Sequence, residues 1–575
     1  MATDDACIDG YRRLAETCHA HGTLVLSQIF HPGREIMESA DGLLAVAYAP
    51  SAVPNERFRV MPRALDQEMI DEIIQGYADA ARRLHQAGLD GVELVASHGY
   101  LPAQFINPRV NRRSDGYNGE LEQRLRFIRE ILDAMRASTD AEFIIGLRIS
   151  ADERDPEGLT EDESLAAVQL LQGQLDYVHI VAGTSASLGG AVHIVPPMAV
   201  EAAYLAREAG TFKAQLSIPL FVTGRINQPQ EAEAIIAKGQ ADVCGMTRAL
   251  ICDPQMPNKS DSGRAEDVRA CIACNQACIG HFHKGLPISC IQHPETGREL
   301  LYGQPKPSAR GKRILVVGGG PAGMKAAAVA AQRGHQVTLY EASAQLGGQI
   351  QLAQLLPRRS EFGGASTNLQ REMQLAGVEV VRNTRVDRAL IERENPDHVI
   401  IATGAQPYWP NFERGGDLQV VDAWQVLRDE VQLGRSVVVA DWRCDWIGPG
   451  IAERLVRAGH QVQLAVNGTH CGENLPLYVR DQLAGELHKL AVPIIPYARL
   501  YGCDDSTVYL QHTASGEPML LENVDSLVLC QGHQSVDDLG QQLKGLVPFQ
   551  RIGDCLAPRT VEEAIHEGLK VAWAL

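Results

Sequence analysis

The chain has 575 residues, 45% of them hydrophobic and 22% charged, which is typical of a globular protein with more than one domain. Its formal net charge of −18 argues against nucleic acid as a partner, because polyanions are bound by basic surfaces. We find neither an apolar run of about 18 residues to span a bilayer nor a charged-then-apolar leader, so a cytoplasmic protein is expected. The 13 cysteines fit a reducing compartment in which thiols bind a metal rather than form disulfides.

Amphipathic helices alternate with short apolar runs through residues 1–260, and this alternation predicts a parallel sheet wrapped by helices. One predicted helix, QEMIDEIIQGYADAARRLHQAG, has Gly88 at its C-cap, and another begins with a capping box from Thr160 to Glu163. A closed βα barrel needs eight strands, so two are missing from the pattern. The predicted strands are TLVLSQIF, GVELVA, FIIGLRIS, YVHIVAG, IPLFVTG and VCGMTRAL.

Four cysteines follow within residues 271–290, in a CxxCxxxC spacing with a fourth sulfur eleven intervening residues later. Soft thiolate ligands arranged around one centre suit either a tetrahedral zinc ion or a four-iron cluster. The spacing by itself leaves both metals open. The predicted ligands are Cys271, Cys274, Cys278 and Cys290.

A linker rich in Pro, Gly and Lys, LYGQPKPSARGK, leads to a strand, glycine turn, helix and strand over RILVVGGGPAGMKAAAVAAQRGHQVTLYEAS. The GxGxxG turn lets the backbone approach a pyrophosphate at the helix N-terminus, and an acidic residue ending the second strand accepts the ribose hydroxyls. Together with the later IIATG and RIGDC segments, this turn predicts an ADP-containing cofactor, FAD or ADP in its place. The predicted site residues are Gly318, Gly320, Gly323, Glu341, Gly553 and Asp554.

A second strand-turn-helix unit begins with SVVVAD at Ser436–Asp441, but its turn is unsuited to a nucleotide. No glycine occurs there before Gly448, and bulky residues, Trp442 among them, stand where a pyrophosphate needs bare backbone. This predicts a structural relative of an NAD(P) domain that binds nicotinamide weakly.

Several motifs in order resemble the old yellow enzyme family: LSQIFHPGR, SHGYLPAQFINPRVNRRSDGYNG, GLRIS, VTGRI, GMTRALICDP and CIACNQACIG. The chain is most similar to the long iron-sulfur flavoprotein branch, which includes trimethylamine dehydrogenase and 2,4-dienoyl-CoA reductase. That resemblance favours the four-iron cluster over zinc. It implies an α/β fold with an FMN-binding TIM barrel that lacks its first two strands, and it suggests a missing N-terminal segment. The implied regions are the barrel at 1–260, the cluster segment at 261–300, a linker at 301–312, an FAD/ADP-binding domain at 313–430 and 523–575, and an NAD(P)-like domain at 431–522.

The resemblance assigns residues at the carboxyl ends of the barrel strands to FMN. Gln28 would bind the pyrimidine ring, and Arg148 would lie beside flavin N1, where a cation stabilises the charge of the reduced ring. For Arg148 the alternative is a surface ion pair. Backbone amides and an arginine would hold the FMN phosphate. The residues implied for this phosphate site are Gly224, Arg225, Gly245, Met246, Thr247 and Arg248.

His98 and Tyr100 match the family's substrate-facing positions, with Tyr100 as proton donor. On an extended strand end, a two-residue spacing would point both side chains the same way. Val95 stands where simple enone reductases have a second donor. His193, in a loop after the fourth predicted strand, is a third candidate. The alternatives are a structural histidine, a packing tyrosine and a solvated loop histidine.

Two enzymatic directions fit these features. In the first, a small N-methylated amine or amino acid of the N-methylproline, proline-betaine or dimethylglycine type is demethylated, and electrons pass from FMN through the cluster to an acceptor such as an electron-transfer flavoprotein. The VPPM segment resembles a loop of bacterial demethylases of this type. In the second, NAD(P)H supplies electrons to reduce a 2,4-dienoyl-CoA or enoate. An inactive redox scaffold is a third reading, and the sequence leaves the oligomeric state open.

Overall fold

The structure, a computed structural model, describes residues 2–36 and 41–575, which form two compact units. The first unit consists of Met1–Pro196 and Val200–Met246, and the second of Pro197–Ala199 and Thr247–Leu575. Within these described ranges, none of the helices is both long enough and apolar enough to cross a membrane.

The first unit is built on one sheet of six parallel strands that lie side by side in chain order. All six correspond to predicted strands. The last is shorter than predicted, because residues after Gly245 turn into a helix, Thr247–Cys252, whose buried residues Ala249 and Cys252 have helical spacing. The strands are β1 (Leu26–Ile29), β2 (Gly91–Ala96), β3 (Ile144–Ser150), β4 (Tyr177–Val181), β5 (Leu220–Val222) and β6 (Val243–Cys244).

Longer helices connect these strands and cover the sheet. Helix α2 (Gln67–Gln86) buries residues such as Ile70, Tyr77 and Leu84 on one face. The chain reverses direction after this helix at Gly88, which has φ +83°. The capping box predicted at Thr160 is present, with both of its hydrogen bonds. These helices are α1 (Ile8–His19), α2 (Gln67–Gln86), α3 (Arg126–Ala137), α4 (Glu161–Leu171), α5 (Ala206–Lys213) and α6 (Pro229–Ala237).

The second unit contains two five-stranded parallel sheets. The order of the first is β9-β8-β7-β10-β16, and that of the second is β11-β15-β12-β13-β14. Between the last two strands of the second sheet in chain order, Ala498–Cys503, Val508–His512 and Pro518–Leu521 form antiparallel pairs, and Glu413–Arg414 joins them as a parallel edge strand. The parallel strands are β7 (Arg313–Val317), β8 (Gln336–Tyr340), β9 (Glu379–Val381), β10 (His398–Ile401), β11 (Gln419–Asp422), β12 (Ser436–Asp441), β13 (Gln461–Val466), β14 (Ile494–Ile495), β15 (Ser526–Cys530) and β16 (Phe549–Arg551).

Each parallel sheet contains one of the strand-helix-strand units that the sequence predicts. Helix α7 (Pro321–Gln332) follows β7 at the glycine-rich turn. Helix α9 (Ile447–Arg457) follows β12 at the turn that has no glycine before Gly448. The longer helices of this unit are α7 (Pro321–Gln332), α8 (Phe362–Ala376), α9 (Ile447–Arg457), α10 (Leu477–Lys489) and α11 (Val561–Ala574).

Candidate functional site

A buried carboxylate, Glu93 on β2, is the centre of a hydrogen-bond network inside the first unit. Its Oε2 accepts hydrogen bonds from the Tyr177 hydroxyl at 2.8 Å and from His179 Nδ1 at 2.9 Å. Its Oε1 accepts from Gln28 Nε2 at 2.7 Å and lies 3.8 Å from Arg148 Nη1. Three strands, β1, β3 and β4, thus present polar side chains to the carboxylate on β2.

The charges of this network are balanced. Burial by itself would raise the pKa of Glu93, but the hydrogen bond from His179, the Arg148 guanidinium and the Tyr177 hydroxyl lower it to about 2. Burial lowers the pKa of His179, so the neutral ring donates from Nδ1 while Nε2 accepts from the Thr223 hydroxyl at 2.7 Å. Glu93 is therefore the anion that compensates the buried Arg148 cation.

Gln28 and Arg148, the two residues assigned to the flavin ring, both contact Glu93. The Arg148 side chain is 15% exposed and lies within the network, so it does not form a surface ion pair. The sequence reasoning missed Glu93, His179 and Thr223. A polar signal was present, since Glu93 and His179 each interrupt an apolar strand.

His98 and Tyr100 are brought together by a turn and not by an extended strand. Strand β2 ends at Ala96, and His98 and Gly99 have φ of +60° and +76°, so the extended geometry expected for this segment is absent. A side chain at Gly99 would collide with the Thr184 hydroxyl, which is why glycine is needed there. The two rings nevertheless lie 6.2 Å apart between centroids, edge to face.

His98 is a neutral, buried imidazole. Burial, together with the nearby Arg148 charge, lowers its pKa to about 3. Its Nδ1 lies 3.4 Å from the Gly183 carbonyl oxygen, which selects the tautomer with the proton on Nδ1. The Nε2 lone pair is then the side that can accept a hydrogen bond.

His193 follows a short helix, Leu188–Ala191, in the loop after β4. Its Cβ lies 3.0 Å from the position that a Cβ at Gly183 would occupy, so His193 approaches the residue whose carbonyl faces His98. Burial lowers the pKa of His193, and its ring packs 5.9 Å from that of Tyr204. The His193 backbone therefore lies close to Gly183, whose carbonyl faces His98.

Gly224 and Gly245 follow the adjacent strands β5 and β6, and neither position has room for a side chain. A Cβ at Gly245 would collide with the Thr223 hydroxyl, and one at Gly224 would crowd a leucine and a tyrosine. Arg225 is buried with φ +53°, and Met246 packs against the core of the first unit. Bare backbone at two neighbouring strand ends is what a phosphate monoester needs, so these residues fit the FMN phosphate.

The last two residues assigned to the phosphate site, Thr247 and Arg248, belong to the second unit. Thr247 begins the helix to Cys252, and Arg248 Nη1 donates a hydrogen bond to Asn275 Oδ1 at 2.7 Å. The Arg248 charge also lowers the pKa of Cys271 against the stronger effect of burial. Arg248 thus contacts the cysteine segment, a role that the sequence reasoning did not foresee.

The four predicted sulfur ligands, here called the four-cysteine site, line one small cavity in the second unit. Burial raises the pKa of Cys271 to about 11 and also raises the pKa values of Cys274 and Cys278, whereas a hydrogen bond with Cys252 lowers the pKa of Cys290 to about 7. The thiolates of Cys271, Cys274 and Cys278 therefore need a positive centre to compensate them, as a metal cluster would provide. In the described part of the chain, no three Cys, His, Asp or Glu side chains are gathered closely enough for a single metal ion. A fifth cysteine, Cys252, also lines the cavity.

A second cavity, of about 750 Å³, lies beside the glycine-rich turn, and we call it the dinucleotide cavity. Gly318, Gly320, Glu341 and Asp554 line it. Glu341 Oε2 accepts a hydrogen bond from the Gly319 amide at 2.7 Å, which fixes the carboxylate at the turn. Its size and its bare backbone fit an ADP-containing cofactor.

Gly323 and Gly553 do not line the dinucleotide cavity but allow the chain to pack around it. A Cβ at Gly323 would collide with the Gly318 carbonyl, and one at Gly553 would lie 2.8 Å from the Ala322 Cβ. Gly323 therefore serves close helix packing, which is the role of the third glycine in such turns.

The turn after β12 is filled by a side chain. Asp441 is buried, its Oδ1 accepts from the Cys444 amide at 3.0 Å, and its Oδ2 lies 2.5 Å from where a Cβ at Gly448 would be. Burial raises the pKa of Asp441 well above its ordinary value. The turn thus holds a carboxyl group where a nucleotide-binding turn offers open backbone.

Comparison with known proteins agrees with the two units. Residues 1–267 match the NADH:flavin oxidoreductase / NADH oxidase family, and residues 312–548 match the pyridine nucleotide-disulphide oxidoreductase family. The chain belongs to the NADH:flavin oxidoreductase / NADH oxidase family and is a flavin oxidoreductase. This confirms the family predicted from the motifs.

Similar proteins span nearly the whole chain. An N,N-dimethylglycine/sarcosine dehydrogenase from Chromohalobacter salexigens is 33% identical over 99% of this chain and 88% of its own length. An NADH oxidase from Thermoanaerobacter brockii is 37% identical over 100% of this chain and 88% of its own. The structure of a 2-naphthoyl-CoA reductase superposes with a TM-score of 0.91 at 30% identity, covering 100% of this chain and 88% of that one.

Proposed function

We propose that the protein oxidatively demethylates a small N-methylated amine or amino acid of the dimethylglycine or N-methylproline type. The observation that carries this proposal is the turn after β12. The buried Asp441 side chain lies against Gly448, and Trp442 and Arg443 stand where a dinucleotide-binding turn has bare backbone. This disfavours a nicotinamide dinucleotide and favours electron transfer to an acceptor such as an electron-transfer flavoprotein. Similarity to a dimethylglycine/sarcosine dehydrogenase supports the substrate class.

The first unit offers the groups that FMN requires. Gly224, Arg225, Gly245 and Met246 would hold its phosphate, and Gln28 and Arg148 would face its ring. When bound, FMN would take a hydride from the N-methyl carbon, and a four-iron cluster would pass the electrons on singly. In the second unit, the four-cysteine site would hold that cluster. Its four thiols line one cavity and could together hold a single cluster.

His98 and Tyr100 would select the reactive form of the amine. Hydride loss from an N-methyl group needs the nitrogen lone pair, so the amine must be bound deprotonated. The His98 imidazole is neutral, and the Arg148 charge nearby disfavours a cationic substrate. His98 Nε2 would accept from the N–H of a secondary amine such as sarcosine, the Tyr100 hydroxyl would donate to the carboxylate of an amino-acid substrate, and His193 would border the same pocket.

The second candidate is an NAD(P)H-dependent reductase of an unsaturated acyl-CoA or enoate. The structural similarity to a 2-naphthoyl-CoA reductase and the 37% identity to an NADH oxidase favour it. Tyr100 would then be the proton donor. Val95, buried on β2, cannot supply a second one.

Anaerobic flavin bleaching separates the two functions. The purified protein should first show flavin peaks above a broad cluster absorbance, whereas a spectrum without flavin would support only a redox scaffold. Dimethylglycine, sarcosine and N-methylproline are then compared with NADPH, and formaldehyde is measured. We expect an amine to bleach the flavin and release formaldehyde. Rapid bleaching by NADPH, with none by any amine, would exclude the demethylase.

The Tyr100→Phe variant adds a second criterion. Loss of a proton donor slows a reductase by roughly 10²–10⁴-fold, because protonation of carbon is part of its reaction. Amine oxidation needs no proton donor at carbon, so the same substitution should slow demethylation much less. A loss of amine bleaching as large as that of reductase activity would count against the demethylase.

A further inference from the structure

Arg359 lies just before helix α8, between two aromatic rings. Its guanidinium carbon is 4.6 Å from the ring centre of Phe362 and 4.7 Å from that of Trp446. Its Nε is buried and has no hydrogen-bond partner. Burial lowers the pKa of Arg359 to about 10, which leaves the side chain protonated at neutral pH.

No carboxylate within the described ranges forms an ion pair with Arg359. The acidic groups whose charges reach it are the Cys274 thiol and the Asp445 carboxylate. Asp445 is already paired with Arg443 at 3.0 Å. Aromatic faces stabilise a cation only in part, so Arg359 keeps an uncompensated charge inside the second unit.

This charge lies between the two predicted cofactor sites of the second unit. The surface that Arg359 retains faces two cavities: the dinucleotide cavity and a small one that Cys274 also lines. Gln276, which stands between two of the predicted sulfur ligands, lines the dinucleotide cavity as well. One layer of side chains therefore separates the four-cysteine site from the dinucleotide cavity.

The medium around Arg359 is apolar, so its charge acts over a distance with little screening. Ile272 and Ile291 of the cysteine segment pack in one core with Ile350 and Phe362, and Cys274 packs against that core. In such surroundings the interaction between two charges is several-fold stronger than in water. Because Arg359 forms no ion pair among the described residues, its guanidinium attracts strongly any negative charge that is added nearby.

We propose that Arg359 is a positioning residue that raises the reduction potential of the cluster held by the four-cysteine site. One electron added to the cluster, without a proton, makes it one unit more negative, and the fixed guanidinium charge beside Cys274 stabilises that reduced state. This inference rests on the proposed cluster, and it adds to the proposed function a residue that sets the direction of electron flow.

The test is a redox titration of the purified holoenzyme with dithionite, followed by electron paramagnetic resonance of the reduced cluster. Arg359→Met removes the charge and keeps an apolar chain of similar length. We expect at least a tenfold fall in the equilibrium constant for one-electron reduction, which is 59 mV. Arg359→Lys retains the charge and should shift the constant less than threefold.

Arg358 provides the matched control, because it is the neighbouring arginine but its charge is compensated. Its Nη2 lies 2.9 Å from Glu453 Oε1 and 2.5 Å from Glu486 Oε1. Arg358→Met should leave the cluster potential within threefold of the parent protein.

The outcomes separate this inference from the proposed function. A protein without iron would refute the proposed cluster itself. A cluster that is present but titrates unchanged in Arg359→Met, or that shifts equally in Arg358→Met, would overturn the role of Arg359 alone. If Arg359→Met does not fold, Arg359→Gln gives the same comparison, because it also removes the charge.

Discussion

Replacing Glu93 with glutamine tests the charge balance inside the first unit. The substitution keeps the shape of the side chain but removes the anion that faces Arg148 and accepts from Tyr177 and His179. Lowering the pKa of a carboxyl from 4.5 to about 2 corresponds to about 3 kcal/mol of stabilisation of its charged form. Breaking a buried ion pair by removing one partner costs a similar amount.

We therefore expect Glu93→Gln to lower the local stability of the sheet by about 3 kcal/mol at neutral pH, or roughly a hundredfold in hydrogen-exchange protection. The measurement is hydrogen exchange of peptides covering β2 and β4 in the FMN-loaded protein. Glu142→Gln, which changes an exposed carboxylate of the same unit, is the control and should alter protection little.

The pH dependence gives this prediction a second criterion. Because the pKa of Glu93 is lower in the folded protein than in the unfolded chain, its stabilisation is complete above pH 4.5 and is lost as the pH falls toward 2. The difference between Glu93→Gln and the parent protein should shrink over that range. A variant that keeps its protection within threefold, or a difference that does not change with pH, would refute the reasoning.

Three further outcomes are expected. Cys290→Ser should lose the cluster iron and its broad absorbance, whereas Cys471→Ser, at a buried cysteine elsewhere in the second unit, should keep both; retained iron in the first variant would contradict the ligand assignment. Gly245→Ala should lower the FMN-to-protein ratio because its Cβ collides with a hydroxyl, while Gly173→Ala, which has open space, should not; equal ratios would argue against this phosphate site. The pKa of His98, lowered to about 3, predicts no inflection from this residue in the bleaching rate from about pH 5 to about pH 9, and an inflection that disappears in His98→Asn would be inconsistent with a neutral imidazole.

Local patterns predicted the elements of this protein well. The strands of the first unit lie in mostly apolar runs flanked by turn residues, and such runs favour a buried parallel sheet. The need for glycine in the first dinucleotide turn could also be predicted, because local backbone geometry requires it: Gly318 has φ +109° and Gly323 packs against a carbonyl.

The residues that were missed share one property: their partners are distant in sequence. Glu93 contacts His179, which is 86 positions away, and no local pattern reports such a pairing. The extended backbone expected at His98 was wrong for a related reason. Its positive φ is imposed by the bridge to Thr184 on another loop, and strand periodicity cannot reveal that constraint.

The sequence by itself determined the family and the order of the two units, and it predicted the chemical type of each site, since spaced thiols, bare glycines and apolar strands act through neighbouring residues. Only the tertiary structure decided how the buried charges are compensated. Glu93 neutralises Arg148, Asp441 packs inside the turn after β12, and Arg359 lies between two aromatic rings with no ion pair among the residues that the structure describes. Electrostatic energy depends on distance in space and on burial, and folding is what sets both.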